Sequence, residues 1–275
     1  MLKTRIITAF FLGLFFSTAL FKASDLIWAL LTLSATLIAV WEWSNLIQLN
    51  KRQTWLNLAC TASVAAMILF SALLPAAYYI DVLAVLVLCL ATLFWLFIAP
   101  VWLLTRKDIH NRLLLATLGF CLLLSLWLAL IGLQKISPWL LLAIMATVWL
   151  ADSAAYFSGK QFGRHKLAVE ISPGKTWEGV AGALLAVTFY GLALCYYWHI
   201  SRWLIVALWF LVVLSVIGDL FESLLKRHAN VKDSSQLLPG HGGVLDRIDG
   251  LMPTLPVALF YIYFPLFSDL QLHVR

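Results

Sequence analysis

Between Gly218 and Asp249 the chain reads GDLFESLLKRHANVKDSSQLLPGHGGVLDRID. This stretch gathers five of the thirteen acidic residues (Asp219, Glu222, Asp233, Asp246 and Asp249) and four of the nineteen Lys and Arg residues. Asp219, Glu222, Ser223 and Lys226 stand at i, i+3, i+4 and i+7, so a helix presents them on one face. A Pro-Gly-His-Gly-Gly turn follows, then Asp246-Arg247-x-Asp249. Carboxylates that alternate with fixed cations beside a glycine-rich turn suit a site for a metal ion and phosphates. Carboxylate oxygens ligate hard cations, and glycine N–H groups approach anions closely.

Asp219 lies inside an apolar run, LIVALWFLVVLSVIGDLFESLL. A charge at membrane depth costs about 2.5–3.5 kcal/mol on insertion scales and usually marks a site, so function outweighs a structural pairing with a lysine. Glu222 has a weaker claim, because a pairing with Lys226 one turn on is a common surface motif. Asp246 and Asp249 would suit an acidic helix start, but one acid suffices for that. Two acids flanking Arg247, opposite Asp219, fit a divalent ion better, and Mg²⁺ prefers such oxygens together with substrate phosphates. His241, between Gly240 and Gly242, is evenly balanced between an anion-binding turn and an incidental loop histidine.

A second polar stretch, SGKQFGRHKLAVEISPGKT at 158–176, ends in Ser172-Pro173-Gly174-Lys175-Thr176 before Trp177 and Glu178. Glycine, lysine and hydroxyl at a helix N-terminus make a phosphate seat. It is not a P-loop, because GxxxxGK[ST] is absent and no strand is expected before it. Lys160 and Arg164 fit ordinary positive-inside residues. Asp152, before Tyr156 and Gly159, borders the same region and ranks as a second-tier residue with Glu222 and Asp233. Glu42, between Trp41 and Trp43, reads as an interfacial acid in an aromatic belt.

The elements that must position these residues are transmembrane helices. The 275 residues are 63% hydrophobic and 12% charged, with 13 Trp and a mean hydropathy of +0.94. A soluble domain carries about 25% charged residues, so the fold class is all-α, a polytopic integral membrane protein. Nine candidate spans occur near 6–21, 27–49, 55–79, 82–104, 113–133, 138–157, 178–198, 203–225 and 250–268. Pro75 is expected to kink the third. Lys3 and Arg5 precede a first span read as retained. With a cytoplasmic N-terminus, fifteen of the nineteen Lys and Arg fall on the cytoplasmic side and four on the other. Loops 158–177 and 226–249 then share the cytoplasmic face. Residues 1–137 form scaffold helices and 138–275 the catalytic region. The net charge of +6 concerns topology and anionic lipid, since no nucleic-acid motif or long basic run occurs. Cys60, Cys89, Cys121 and Cys195 lie in apolar runs without metal-ligand spacing.

Ser223-x-x-Lys226-Arg227, Lys232-Asp233, Pro239-Gly240-His241-Gly242-Gly243 and Asp246-Arg247-x-Asp249 resemble, over 27 contiguous residues, the signature of the bacterial-type phosphatidate cytidylyltransferases, or CDP-diacylglycerol synthases. Asp152 to Tyr156, Gly163, Lys166-Leu167 and Ile171-Ser172-Pro173-x-Lys175-Thr176-Trp177-Glu178-Gly179 follow that family's order as well. Three positions depart from it: Gly174 stands where a second lysine is frequent, Val169 replaces a common proline, and Gly250 stands where serine is usual.

The resemblance implies transfer of the cytidylyl group of CTP to phosphatidate with Mg²⁺, or two cations, at the cytoplasmic face of a bacterial inner membrane. It implies catalytic roles for Asp219, Asp246, Lys226 and His241, with Asp219, Asp246 and Asp249 as metal ligands. Ser172, Lys175, Thr176, Ser223, Arg227, Lys232 and Arg247 would bind substrate phosphates. Two other activities compete: a CTP-dependent lipid kinase needing a base near a lipid hydroxyl, and a transporter needing repeats and polar groups on both faces. No repeat is visible and the polar groups crowd one face. A homodimer is compatible with such a chain, although lipid already satisfies its apolar surface.

Overall fold

In the computed structural model of the chain, residues 13–71, 77–237 and 242–264 are described. The first residues of the first expected span, Pro75 and His241 lie outside them. Helix α1 spans Gly13–Lys22, α2 Asp25–Leu46, α3 Lys51–Leu69 and α4 Ala77–Leu93. A π-turn at Phe94–Ile98 joins α4 to α5, Ala99–Thr105. Then come α6 (Arg112–Ile136), α7 (Pro138–Phe162), strands β1 (Lys166–Ala168) and β2 (Ser172–Thr176), α8 (Trp177–Trp198) and α9 (Trp203–His228). A short α10 (Leu245–Ile248) and α11 (Leu251–Tyr263) follow.

Six helical segments among the described residues are long and apolar enough to cross a membrane: Asp25–Leu46, Tyr78–Thr105, Arg112–Ile136, Pro138–Phe162, Trp177–Trp198 and Trp203–His228. Shorter apolar helices stand where the first and last spans are expected, and α3 overlaps the first part of the third. Local chemistry starts these helices. Ser24, Asn50, Asn111, Ser137 and Thr176 cap α2, α3, α6, α7 and α8, each accepting a hydrogen bond from an early backbone N–H. At α3, Gln53 returns a bond to Asn50 and closes a capping box.

The core is a set of interhelical contacts between apolar side chains, tied by indole groups. Trp28, Trp43 and Trp127 are fully buried, and their N–H groups donate to the carbonyls of Leu130, Leu115 and Ala29. Three such bonds fasten α2 to α6, and they satisfy the tryptophans in a setting that offers no water. Phe221 of α9 sits among Trp43, Phe94, Trp95 and Trp102, with ring centroids 5.3–6.3 Å away. Leu104, Leu113 and Trp55 point outward, as side chains facing lipid do.

The polar loop at 158–177 is more ordered than its composition suggests. Helix α7 continues to Phe162, and β1 and β2 pair antiparallel, with Lys166 opposite Thr176 and Ala168 opposite Ser172. A strand therefore does lead into α8, contrary to the sequence expectation. The departure is local: backbone groups that leave α7 near a membrane surface still need partners, and a two-stranded pairing supplies them.

Candidate active site

The last turns of α9 carry Asp219, Glu222, Ser223, Lys226 and Arg227, and the expected helical face forms. The Ser223 hydroxyl donates to Asp219 Oδ1 at 3.3 Å, and Lys226 Nζ lies 2.5 Å from Glu222 Oε2. This second pairing is not the surface motif read from the sequence. The Glu222 and Lys226 side chains are only 2% and 13% exposed, because α9 packs this face inward.

Two charge centres result. In the first, Lys226 Nζ also reaches Asp246 Oδ1 at 2.7 Å, so one ammonium bridges two carboxylates. Asp246 accepts further bonds from the Ser234 N–H at 3.0 Å, the Ser234 hydroxyl at 2.9 Å and the Gly243 N–H at 2.8 Å. Burial opposes ionisation of Asp246, but the bonds from Lys226 and Gly243 outweigh it and bring the carboxyl down to about 2. Glu222 Oε1 is buried, with no hydrogen-bond partner among the described residues.

In the second centre, Lys175 at the end of β2 pairs with Asp219 Oδ2 at 2.5 Å. Asp249 and Asp152 stand close enough for their charges to act on one another and on Asp219. Asp152 Oδ1 accepts from the Ser215 hydroxyl at 3.5 Å, and Asp249 Oδ1 from the Gly250 N–H at 2.8 Å. Enclosure by protein, and then the Asp219 charge, push Asp249 up to about 8. Gly218 makes the approach possible, since a Cβ there would meet the Asp249 carbonyl and the Pro253 ring of α11.

The expected metal ligands fall in both centres. Asp219 and Asp249 belong to the centre beside Lys175, while Asp246 is engaged by Lys226 and the following loop. No group of three or more acidic, His or Cys side chains among the described residues is spaced to hold an ion unaided. Mg²⁺ does not require one, because it takes one or two carboxylates and fills its shell with water and phosphate oxygens. Asp152, Asp219 and Asp249 bring hard carboxyl oxygens together beside Lys175, and oxygen donors of this kind suit that ion.

The phosphate-seat residues divide. Thr176 is buried and caps α8, its hydroxyl accepting from Gly179 N–H at 3.1 Å. Ser172 begins β2. Arg227 Nε donates to the Ile171 carbonyl at 3.2 Å and so fixes the hairpin to α9. Lys232, Asp233 and Arg247 are exposed on the loop and on α10.

Some participants escaped the sequence reading. Arg106 pairs with Glu170 at the hairpin turn, and His165 Nδ1 lies 2.6 Å from Glu178 Oε1 at its base. Glu42 is the larger correction. It is fully buried, not interfacial, and it accepts bonds from the Ser234 hydroxyl (3.2 Å), the Ser235 hydroxyl (2.5 Å), the Val244 N–H (3.0 Å) and the Leu245 N–H (2.6 Å). The rule that singles out Asp219, an acid within an apolar span, applied equally to Glu42. Its flanking tryptophans hid it by imitating an interfacial belt.

Taken together, the end of α9, the β1–β2 hairpin and the loop leading to α10 bring cations and carboxylates to one end of the bundle. The arrangement can bind phosphates and a divalent ion beside a lipid-facing surface. The model of the cytidylyltransferase family matches residues 3–265. A phosphatidate cytidylyltransferase of Pseudomonas aeruginosa is 39% identical over 267 residues, covering 94% of this chain and 95% of that protein. One of Haemophilus influenzae is 46% identical over 135 residues, 46% of each chain. One of Staphylococcus aureus is 45% identical over 113 residues, 40% of this chain and 44% of that one.

Proposed function

The chain belongs to the cytidylyltransferase family, and from that premise we propose how its residues divide the work of joining CTP to phosphatidate. The enzyme transfers the cytidylyl group of CTP to phosphatidate and gives CDP-diacylglycerol and pyrophosphate. A phosphate oxygen of the lipid forms a bond to the α-phosphorus, and the bond from that phosphorus to the bridging oxygen of the β-phosphate breaks. The lipid phosphate is already anionic near neutral pH, so no protein nucleophile is needed. The protein must align the reactants and neutralise charge.

The observation that carries the assignment is the pairing of site lysines with site acids. Lys175 lies against Asp219, and Lys226 lies between Glu222 and Asp246. Each lysine is held where a phosphate oxygen can take it as partner. Lys175 and Arg227 orient the lipid phosphate and the α-phosphate, with Ser172, Thr176 and Ser223 adding hydroxyl donors. Lys226, Lys232 and Arg247 hold the β- and γ-phosphates, which leave as pyrophosphate. His241, by the family resemblance, serves the leaving group. Asp219 and Asp249, with Asp152 beside them and Asp246 across the site, are the carboxylates available to Mg²⁺ or to two cations. When bound, such an ion offsets the phosphate charge and makes the α-phosphorus easier to attack.

The site faces the cytoplasm in this reading, and the membrane is a bacterial inner membrane. The excess of Lys and Arg on the loops at that end and the bacterial sources of the relatives support this. A homodimer is compatible with it.

The test is turnover in detergent with phosphatidate, Mg²⁺ and CTP labelled separately at the α- and γ-phosphates. Label from the α-position should enter the lipid with release of pyrophosphate. Label from the γ-position in a lipid alcohol would mean a kinase instead. A chelator should abolish turnover and Mg²⁺ should restore it. Asp246→Asn should lose turnover while remaining folded, and near-normal Mg²⁺-dependent turnover in that variant would remove Asp246 from the site.

A further inference from the structure

Glu42 has no part in the chemistry above, yet it is the most completely enclosed acid of α2. The helix's other acid, Asp25, stands in its first turn, whereas Glu42 lies within the apolar run near its other end and is fully buried. Four donors converge on its two oxygens. The Val244 N–H and the Ser235 hydroxyl meet Oε1, and the Leu245 N–H and the Ser234 hydroxyl meet Oε2. Those donors come from two short segments, Ser234–Ser235 and Val244–Leu245, about 190–200 positions along the chain, and the second of them starts α10. A buried carboxylate survives only when its lone pairs are taken, and here the loop takes them. Conversely, the loop's first amides before α10 have no helical partner and find one in Glu42.

The link to the reaction runs through Ser234. Its hydroxyl lies 3.2 Å from Glu42 Oε2 and 2.9 Å from Asp246 Oδ2, and its N–H donates to Asp246. A hydroxyl has one proton to give, so the two carboxylates share one donor. Gly243 completes the fit, because a Cβ there would overlap both the Ser234 hydroxyl and Glu42, while its N–H donates to Asp246.

We propose that Glu42 is a positioning residue for cytidylyl transfer: it fixes Ser234 and Ser235 against Val244 and Leu245 and, through Ser234, the orientation of the Asp246 carboxylate. Glu42 touches neither substrate nor cation. The inference rests on the proposed role of Asp246 in that transfer.

Glu42→Gln keeps the shape but puts an NH₂ among four donors. The tests are kcat and KM for CTP, thermal unfolding in detergent and amide hydrogen exchange over residues 242–250. Glu42→Gln should lower kcat about 10- to 100-fold, the range expected for losing a hydrogen bond to a charged group. KM for CTP should change less than about threefold and exchange at Val244 and Leu245 should quicken. Ser234→Ala should lower kcat as well, and the double variant should be no slower than the slower single one. Trp28→Phe, in the core of α2 and far from the loop in sequence, serves as a control for general destabilisation. The inference is overturned if Glu42→Gln keeps the wild-type kcat. It is overturned equally if its kcat falls only as far as in a control variant of equal melting temperature, or if the effects of Glu42→Gln and Ser234→Ala multiply fully. Wild-type turnover with CTP and phosphatidate tests the underlying reaction separately: absence of α-label transfer by the unmodified protein would sink the reaction, not the loop clamp, which the exchange measurement reads by itself.

Discussion

Lys175 and Asp219 form an ion pair of 2.5 Å that joins the end of the β-hairpin to the membrane-depth part of α9. Their side chains are 22% and 36% exposed, so the pair contributes little to folding, at most about 1 kcal/mol. In the proposed reaction its use is to hold a cation next to a carboxylate until phosphates and a divalent ion arrive. Lys175→Met should therefore leave the melting temperature within about 4 °C of wild type. Turnover should fall on the order of 100-fold, as when one preorganised charge is removed from a phosphoryl-transfer site. Lys175→Arg should recover part of it. Kinetics and a thermal melt on the same detergent preparation distinguish these effects, and a large loss of stability with unchanged kcat would refute the assignment.

Lys226 behaves differently because its surroundings are buried. Removing it strands Glu222 and Asp246 without their shared cation. Breaking a buried pair in this way costs about 3–5 kcal/mol. Lys226→Met should unfold markedly earlier on heating. Adding Glu222→Gln, which removes one of the two stranded charges, should restore much of the stability. It should not restore turnover, since the ammonium proposed to bind phosphate is still missing. A double variant that regains activity would show that Lys226 serves structure alone.

The comparison of sequence with structure divides along physical lines. Apolar run length gave the helices, because one constraint, the thickness of hydrocarbon, sets both. The α9 face was legible because Asp219, Glu222, Ser223 and Lys226 obey helical spacing. Two things were not. Pairing across the site, Lys175 with Asp219 and Lys226 with Asp246, depends on how α9, the hairpin and the loop before α10 pack, and no local pattern encodes that. Glu42 was visible as an acid in an apolar span, but its partners lie almost 200 residues away and two of them are backbone N–H groups, to which side-chain spacing is blind. Strand β2 was missed because Ser-Pro-Gly-Lys-Thr has a turn-like composition, and it pairs only because β1 lies opposite.

Gly243 is required for a steric reason. A methyl group at this position would collide with the Ser234 hydroxyl and with Glu42, both fixed by hydrogen bonds. Overpacking of this kind costs about 1–3 kcal/mol, and here it also displaces the donors on Asp246. Gly243→Ala should lower the melting temperature by several degrees and reduce turnover at least about tenfold. A variant with normal kinetics would mean that the loop relaxes away from Asp246 without consequence.

Gly174 provides the contrast within the hairpin. Among the described residues nothing lies within 4 Å of a Cβ built there, so a side chain at this position meets none of them. It immediately precedes Lys175, where the family resemblance leads one to expect another lysine. Gly174→Ala should be neutral in stability to within about 0.5 kcal/mol, the usual range for exposed positions. Gly174→Lys should add a cation beside the pair formed by Lys175 and Asp219. It should lower KM for CTP by a few-fold, more at low than at high ionic strength, because salt screens an exposed charge. Steady-state kinetics at two salt concentrations are the measurement. An unchanged KM at low salt would place position 174 out of reach of the nucleotide phosphates, and a raised KM would mean that the glycine is kept for access to the site.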